Sequence, residues 1–242
     1  MADANTAGTV DVRCHRGVAV ITLRREHKRN ALSTHMETEL LRAVRSSEVE
    51  SSRAVVVTGG DTVFSAGADV TELAEMSTRD IIDYYAGSGS VYEVFAGLPQ
   101  PTVAAITGYC LGGGLELALA ADIRIADPAA DFGFPEVGIG ILPSSGGLTR
   151  IVRAVGEGRA RDLVLRGRRF DARQAEQWGI VSEIACPREH VKRATEIAHE
   201  LAGYSPVALR VTKRVLDAGI DAPRETALLL EQLAYAVLNE AG

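Results

Sequence analysis

The stretch Thr107-Gly-Tyr-Cys-Leu-Gly-Gly-Gly-Leu-Glu-Leu-Ala-Leu-Ala-Ala-Asp122 decides how the rest of the chain is read. It joins a β-branched run, 103–107, to an apolar helical segment through Gly112, Gly113 and Gly114. Glycine at a helix start has an entropic cost but lets the backbone come very close to a ligand. The free N–H groups and positive dipole end of such a helix favour negative charge. Glu116 follows among leucines and alanines, where a carboxyl must be paired, protonated or poised for chemistry. The stretch therefore predicts a pocket that binds a developing oxyanion beside a catalytic acid.

Working outward, short strands alternate with helices. Strands are predicted at 9–13 and 18–23, around the turn His15-Arg16-Gly17, and at 54–58, 103–107 and 122–126. Ser33 reads as a helix N-cap, with Glu37 nearby and apolar positions at Met36, Leu40, Leu41 and Val44. One longer helix is predicted over 78–97, carrying Tyr84, Tyr85, Tyr92 and Phe95, and a loop over 132–140. Beyond Gly147 the pattern is helical, at 147–155, 158–166, 172–178, 187–202, 206–218 and 222–239, with one strand at 180–184. The cadence at Val55, Val103 and Ile123 argues for an α/β fold followed by a helical C-terminal region.

Composition excludes several classes. The 242 residues suit one large domain, or one domain with a helical appendage, and 46% hydrophobic with 24% charged residues is ordinary for a globular chain. A net charge of −6 gives no global pull toward nucleic acid or an anionic membrane. Cys14, Cys110 and Cys186 are far apart without CxxC spacing, which fits a reducing cytoplasm better than a disulfide framework or zinc site. His27, His35, His190 and His199 show no metal-ligand spacing. The N-terminus has neither a basic region nor an apolar run, so no signal peptide is expected, and 115–121 is far too short for a membrane span. Neither a P-loop nor a dinucleotide-binding glycine pattern is present.

Lys28-Arg-Asn-Ala-Leu32, Phe64-Ser-Ala-Gly-Ala-Asp-Val70 and Gly108-Tyr-Cys-Leu-Gly-Gly-Gly-Leu-Glu116 together resemble the enoyl-CoA hydratase/isomerase (crotonase) family. Phe134-Pro-Glu-Val-Gly138, Leu142-Pro-Ser-Ser-Gly-Gly147 and Arg166-Gly-Arg-Arg-Phe-Asp-Ala-Arg-Gln-Ala-Glu-Gln-Trp-Gly-Ile-Val181 extend the match, in order, from about Val10 to Leu238. The resemblance implies an α/β crotonase-like stack of β-β-α turns over 1–185, holding the CoA-binding and catalytic site. A C-terminal helical trimerisation region would occupy 186–242, giving a homotrimer or a hexamer built as a dimer of trimers.

The implied chemistry is reversible addition of water to a trans-2-enoyl-CoA, giving a 3-hydroxyacyl-CoA. Negative charge builds on the thioester oxygen, and preorganised backbone N–H donors stabilise it, each worth about 10²–10³ in rate in comparable sites. The resemblance assigns that oxyanion hole to the N–H groups of Ala68 and Gly113. Read without it, Gly67 and the glycine triplet are equally turn and close-packing residues. Glu136 is implied as the principal acid/base and Glu116 as its partner on the water; the structural alternatives are a salt-bridged buried Glu116 and an ordinary loop acid at Glu136. Keeping both glutamates favours a hydratase over a double-bond isomerase. The resemblance places Lys28, Ala31, Ala66, Asp69, Val70 and Gly112 at the CoA and substrate site, with Lys28 and Arg24 as phosphate partners. It implies no cofactor beyond the CoA of the acyl-CoA thioester substrate, no nucleic-acid or membrane partner, and a cytoplasmic setting.

Two departures from the family pattern stand out. Ser144 and Ser145 stand where the family often has small residues or glycine; capping the helix that follows is the first expectation, with contact to the substrate or a narrowed acyl pocket as alternatives. Family members also commonly continue past the equivalent of Leu238-Asn-Glu-Ala-Gly242 with a further amphipathic segment and a basic end, so a shorter version or a longer native chain is implied. The arginines from Arg150 to Arg173 alternate with Glu157, Asp162 and Asp171, which favours a solvated or inter-subunit face over RNA binding. Cys110 reads as a small packing residue.

Overall fold

The computed structural model describes residues 7–240. The chain opens as an antiparallel hairpin, β1 (Thr9–His15) and β2 (Val18–Arg24), whose turn holds Arg16 and Gly17 at positive φ. Two helices follow, α1 (Thr34–Val44) and α2 (Ser47–Glu50). Ser33 caps α1 as predicted, its hydroxyl accepting the Met36 N–H. Next come β3 (Ala54–Thr58) and three short helices, α3 (Val70–Leu73), α4 (Thr78–Ala86) and α5 (Val91–Ala96). The central part is β4 (Thr102–Ile106), β5 (Tyr109–Leu111), α6 (Gly113–Ala120), β6 (Ile123–Ala126) and β7 (Asp131–Gly133). The remainder runs α7 (Gly147–Val155), α8 (Glu157–Leu165), β8 (Arg169–Asp171), α9 (Ala172–Gln177), β9 (Glu183–Ile184), α10 (His190–Gly203), α11 (Pro206–Gly219) and α12 (Arg224–Glu240).

Two sheets result. The larger has the order β1-β2-β3-β4-β6-β9 and is parallel from β2 onward; the smaller has the order β5-β7-β8. Successive turns of the chain lay one strand in each, β4 with β5 and then β6 with β7. The bridges Ser65–Cys110 and Leu32–Ala68 extend the smaller layer into the preceding turn. This is the stacked β-β-α arrangement that the family resemblance implied, and it agrees with the α/β cadence.

The strands β3 and β4 are buried at every position, which is why they read as continuous apolar runs. Alternate residues serve different cores. Val55, Val57, Ala104 and Ile106 face the cluster that includes Met36 and Leu40 of α1 and Leu115 of α6. Val56, Val103 and Ala105 face Ala194, Ala198 and Ala202 of α10. Small alanines on α10 let the helix lie close to the sheet. By contrast α11 and α12 bury no residue and leave Leu216, Leu229, Leu233 and Tyr235 exposed.

Several local expectations are corrected. The single helix over 78–97 is two, because the chain at Gly87 leaves helical geometry (φ −102°, ψ −116°) before a 3-10 turn at Ser88–Ser90. The loop over 132–140 contains part of β7, whose pairing with β5 needs so few residues that no alternation shows in sequence. The strand at 180–184 shortens to Glu183–Ile184. Ser144 and Ser145 do not cap α7: Gly146, at φ 91°, is its N-cap, without a side-chain hydrogen bond.

Candidate functional site

The smaller layer carries the site, because each of its turns ends where a helix begins. Gly67 has φ 95°, and a Cβ there would meet Leu111 O at 2.7 Å and Gly113 N at 3.3 Å. Only glycine lets the turn of Ala68 come this near the start of α6. A Cβ built on Gly113 would in turn lie 3.5 Å from Ala68 N. The two N–H groups that the family resemblance implied are therefore neighbours. Among the described residues, neither donates to a backbone carbonyl in the turns, loops and caps. Two adjacent unused N–H groups, one of them at a helix N-terminus, suit an oxyanion.

Glu116 lies one turn into α6, 4% exposed. Its Oε1 accepts the N–H of Ser145 at 2.7 Å and of Gly147 at 2.9 Å. No salt bridge involves it among the described residues; Arg150 pairs instead with Glu93 at 2.7 Å and binds Ser145 O at 3.1 Å. Burial raises the Glu116 pKa, and the N–H groups of the 144–147 turn, with Arg150 farther off, oppose that rise. The serines thus matter for their backbone. The Ser144 hydroxyl accepts from Tyr85 of α4, tying that helix to the same turn.

Glu136 begins the 3-10 turn Glu136–Ile139 that follows β7 and Pro135. It is 7% exposed, and its Oε1 occupies the space a Cβ on Gly112 would need, 2.7 Å away. Gly112, the first glycine of the triplet, at φ 49°, thus makes room for the Glu136 carboxyl. Glu136 Oε2 is buried without a partner. Burial pushes this carboxyl up to about 7, and the charge of Glu116 adds to the rise. The two acids therefore feel one another from elements 20 residues apart in sequence but adjacent in the stack.

The expected CoA residues fall into two groups. Lys28 is exposed, in the 3-10 turn Glu26–Lys28, and Val70 is exposed at the start of α3. Asp69 is occupied by the fold. Its N–H donates to Leu32 O, its carbonyl accepts from Glu72 and Leu73, and its carboxylate takes Arg25 at 2.8 Å and the Thr71 N–H at 3.3 Å. Ala66 N–H donates to Arg29 O, and the Ala31 carbonyl accepts from Arg25. Arg24 is taken up by Asp11 and Glu26.

Sequence reasoning missed Asn30. It is fully buried at φ 51°, and its amide donates to the carbonyls of Gly59, Val63 and Phe64, fixing the chain that leads to Gly67. Its neighbours Arg29 and Lys28 read as solvated, and nothing local marks it as buried. Also missed was the Arg25–Asp69 pin. The arginines beyond Arg150 behave as a paired face: Arg161 meets Glu157, Arg166 and Arg168 meet Asp162, and Arg159 lies over Trp178. Cys110 is fully buried, with its thiol pKa raised by burial. No cluster of metal-ligating side chains occurs among the described residues, and no described helix is long and apolar enough to cross a membrane.

The chain is similar to the short-chain-enoyl-CoA hydratase of Clostridium acetobutylicum, 37% identical over 220 residues covering 90% of this chain and 84% of that protein. The mitochondrial methylglutaconyl-CoA hydratase of Mus musculus is 34% identical over 228 residues, covering 92% of this chain and 73% of that one. Among solved structures, an enoyl-CoA hydratase from Bacillus anthracis superposes with a TM-score of 0.86 at 35% identity, covering 94% of this chain and 90% of its own. The family model described as enoyl-CoA hydratase/isomerase matches residues 13–240. With that match over nearly the whole described chain, the protein belongs to the enoyl-CoA hydratase/isomerase family.

Proposed function

We propose that the protein is an enoyl-CoA hydratase, adding water reversibly to a trans-2-enoyl-CoA. The carrying observation is the pair of buried carboxyls, Glu136 raised in part by the charge of Glu116, beside two unused backbone N–H groups. The thioester oxygen accepts from Ala68 and Gly113 N–H, which lowers the energy of the enolate formed when water attacks Cβ. Glu116, whose N–H donors favour the carboxylate, holds the water and takes its proton as the C–O bond forms. Glu136, close to half protonated at neutral pH, gives its proton to Cα as the enolate collapses. The proton left on Glu116 returns to Glu136 through solvent or product, closing the cycle.

Lys28 and the backbone around Ala31, Ala66 and Val70 are assigned to the CoA moiety, with Asp69 holding that segment in place and Gly112 admitting Glu136. The exposed apolar side chains of α11 and α12 are assigned to a homotrimer, alone or paired into a hexamer.

The test follows loss of the conjugated enoyl thioester over a series of acyl chain lengths, for the native protein, Glu116→Gln and Glu136→Gln. Hydration by the native protein, cut about 10²–10⁴-fold in each variant, is the expected result. Undiminished hydration in both variants sinks the mechanism. Conversion of 3-enoyl thioesters with no hydration at any length makes the protein an isomerase.

A further inference from the structure

A third buried acid lies behind the oxyanion hole. Glu37, on α1, is 1% exposed. Its Oε1 accepts the Tyr92 hydroxyl of α5 at 2.7 Å and the Tyr84 hydroxyl of α4 at 2.8 Å. Its Oε2 is buried without a partner. The Tyr92 hydroxyl links this group to the site, because a Cβ built on Gly113 would lie only 3.0 Å from it. The phenol oxygen thus backs the residue whose N–H faces the thioester, while the Leu32 side chain fills the adjoining space at 3.7 Å.

We propose that Glu37 and Tyr92 are positioning residues of the acyl-CoA site: the Glu37 carboxyl fixes the Tyr92 hydroxyl against Gly113, and so fixes the N–H that binds the thioester oxygen. The inference rests on the oxyanion-hole role given above to Gly113.

The carboxyl does this in its neutral form. An ionised Glu37 leaves a charged oxygen buried with no donor, which is far worse than one unpaired O–H. Burial pushes the group up to about 7, although both tyrosine hydroxyls pull it down. The other groups acting on it are acids, Glu72 of α3 and Glu116 of α6. Arg150 is engaged by Glu93 of α5, and Arg24 by Asp11 of β1, so neither arginine is directed to Glu37. Ionisation above neutrality therefore places negative charge behind Gly113, where it opposes the charge growing on the thioester oxygen.

The experiment compares the native protein with Glu37→Gln and Tyr92→Phe in two readouts. One is kcat between pH 6 and 8.5. The other is the absorbance red shift of a bound aryl-conjugated enoyl-CoA, which reports carbonyl polarisation whether or not turnover occurs. Tyr92→Phe is expected to lower kcat about ten-fold with KM within about threefold, and to shrink the red shift. Glu37→Gln, which cannot ionise, is expected to raise the ratio of kcat at pH 8.5 to kcat at pH 6 by about threefold or more over the native ratio. A red shift that Tyr92→Phe leaves intact overturns the inference, whatever happens to stability, and so does an unchanged pH ratio in Glu37→Gln. Should Glu37→Gln fail to fold, the Tyr92→Phe red shift decides alone. Absence of enoyl turnover in the native protein counts against the hydratase assignment instead, and the red-shift comparison still decides the role of Tyr92.

Discussion

Replacing Gly147 by alanine tests whether Glu116 must be held where it is. Gly147 is the first residue of α7, and its φ is not in the left-handed region, so alanine adds no backbone strain. The added Cβ would sit 2.6 Å from Glu116 Cγ, 2.8 Å from its Oε1 and 3.0 Å from Phe134 Cε1. Phe134 is buried and cannot yield, so the glutamate must. Restoring an ordinary contact of 3.4 Å moves its stem by about 0.8 Å and breaks the geometry of the Ser145 and Gly147 N–H bonds. A misplacement near 1 Å in a catalytic group costs about 10²-fold, so kcat/KM should fall about 30- to 100-fold. Stability responds less. Overpacking costs about 1–3 kcal/mol, and the better helix propensity of alanine offsets up to about 1 kcal/mol of it. The enoyl-thioester absorbance assay beside a thermal melt separates the two effects. Activity within twofold of native would refute the reasoning, because it would mean that Glu116 works equally well displaced.

Other outcomes follow from the same contacts. Gly158→Ala, on an exposed face of α8 with no atom within 4 Å of the new Cβ, should leave kcat unchanged and raise Tm by about 1–4 °C in a thermal melt. The hydration kcat should fall as pH rises through about 7, where Glu136 loses the proton it must deliver, and Glu136→Gln should lack that limb in its residual rate. Glu37 and Glu136 both bind protons more tightly folded than unfolded between about pH 4.5 and 7, so each contributes stability below that window that is lost across it. Denaturant titrations at pH 5 and 8 should accordingly show Glu37→Gln gaining on the native protein at the higher pH. Arg25→Ala removes the pin on Asp69 and the Ala31 carbonyl, and should lower unfolding stability by about 1–3 kcal/mol in urea while loosening the Ala68 turn enough to reduce kcat/KM.

Much of the fold could be read because its signals are local. The buried strands β3 and β4 are continuous apolar runs, Ser33 marks the start of α1, and the glycine triplet marks the start of α6. The N–H groups of Ala68 and Gly113 follow from the family resemblance, since the glycines alone read equally as turn and packing residues. What escaped depends on distant partners. The strands β5, β7 and β8 are three residues each, too short for a period to register. Tyr84 and Tyr92 read as carried on one helix, but the chain breaks at Gly87 and both hydroxyls donate to Glu37, 47 and 55 residues away. Ser144 and Ser145 looked like helix caps, whereas the turn they occupy offers its backbone N–H groups to Glu116.

The three buried acids are better understood together than singly. Glu37, Glu116 and Glu136 sit close enough that Glu116 raises the pKa of both others. Three charges cannot share so small a buried volume, so the site must choose where its negative charge rests. Glu116 takes two backbone N–H donors from the Ser145–Gly147 turn on its carboxylate, whereas Glu136 is opposed in its rise only by its own N–H, and Glu37 and Glu136 each keep an oxygen without a partner. Backbone donors stabilise an anion without bringing a competing proton, and they stay fixed as the reaction proceeds. In the proposed mechanism the charge therefore rests on Glu116, and its presence there favours the protonated forms of Glu136 and Glu37. In that mechanism, chemically identical side chains take a base role, an acid role and a positioning role because the turn at Ser145–Gly147 supplies its N–H groups to Glu116.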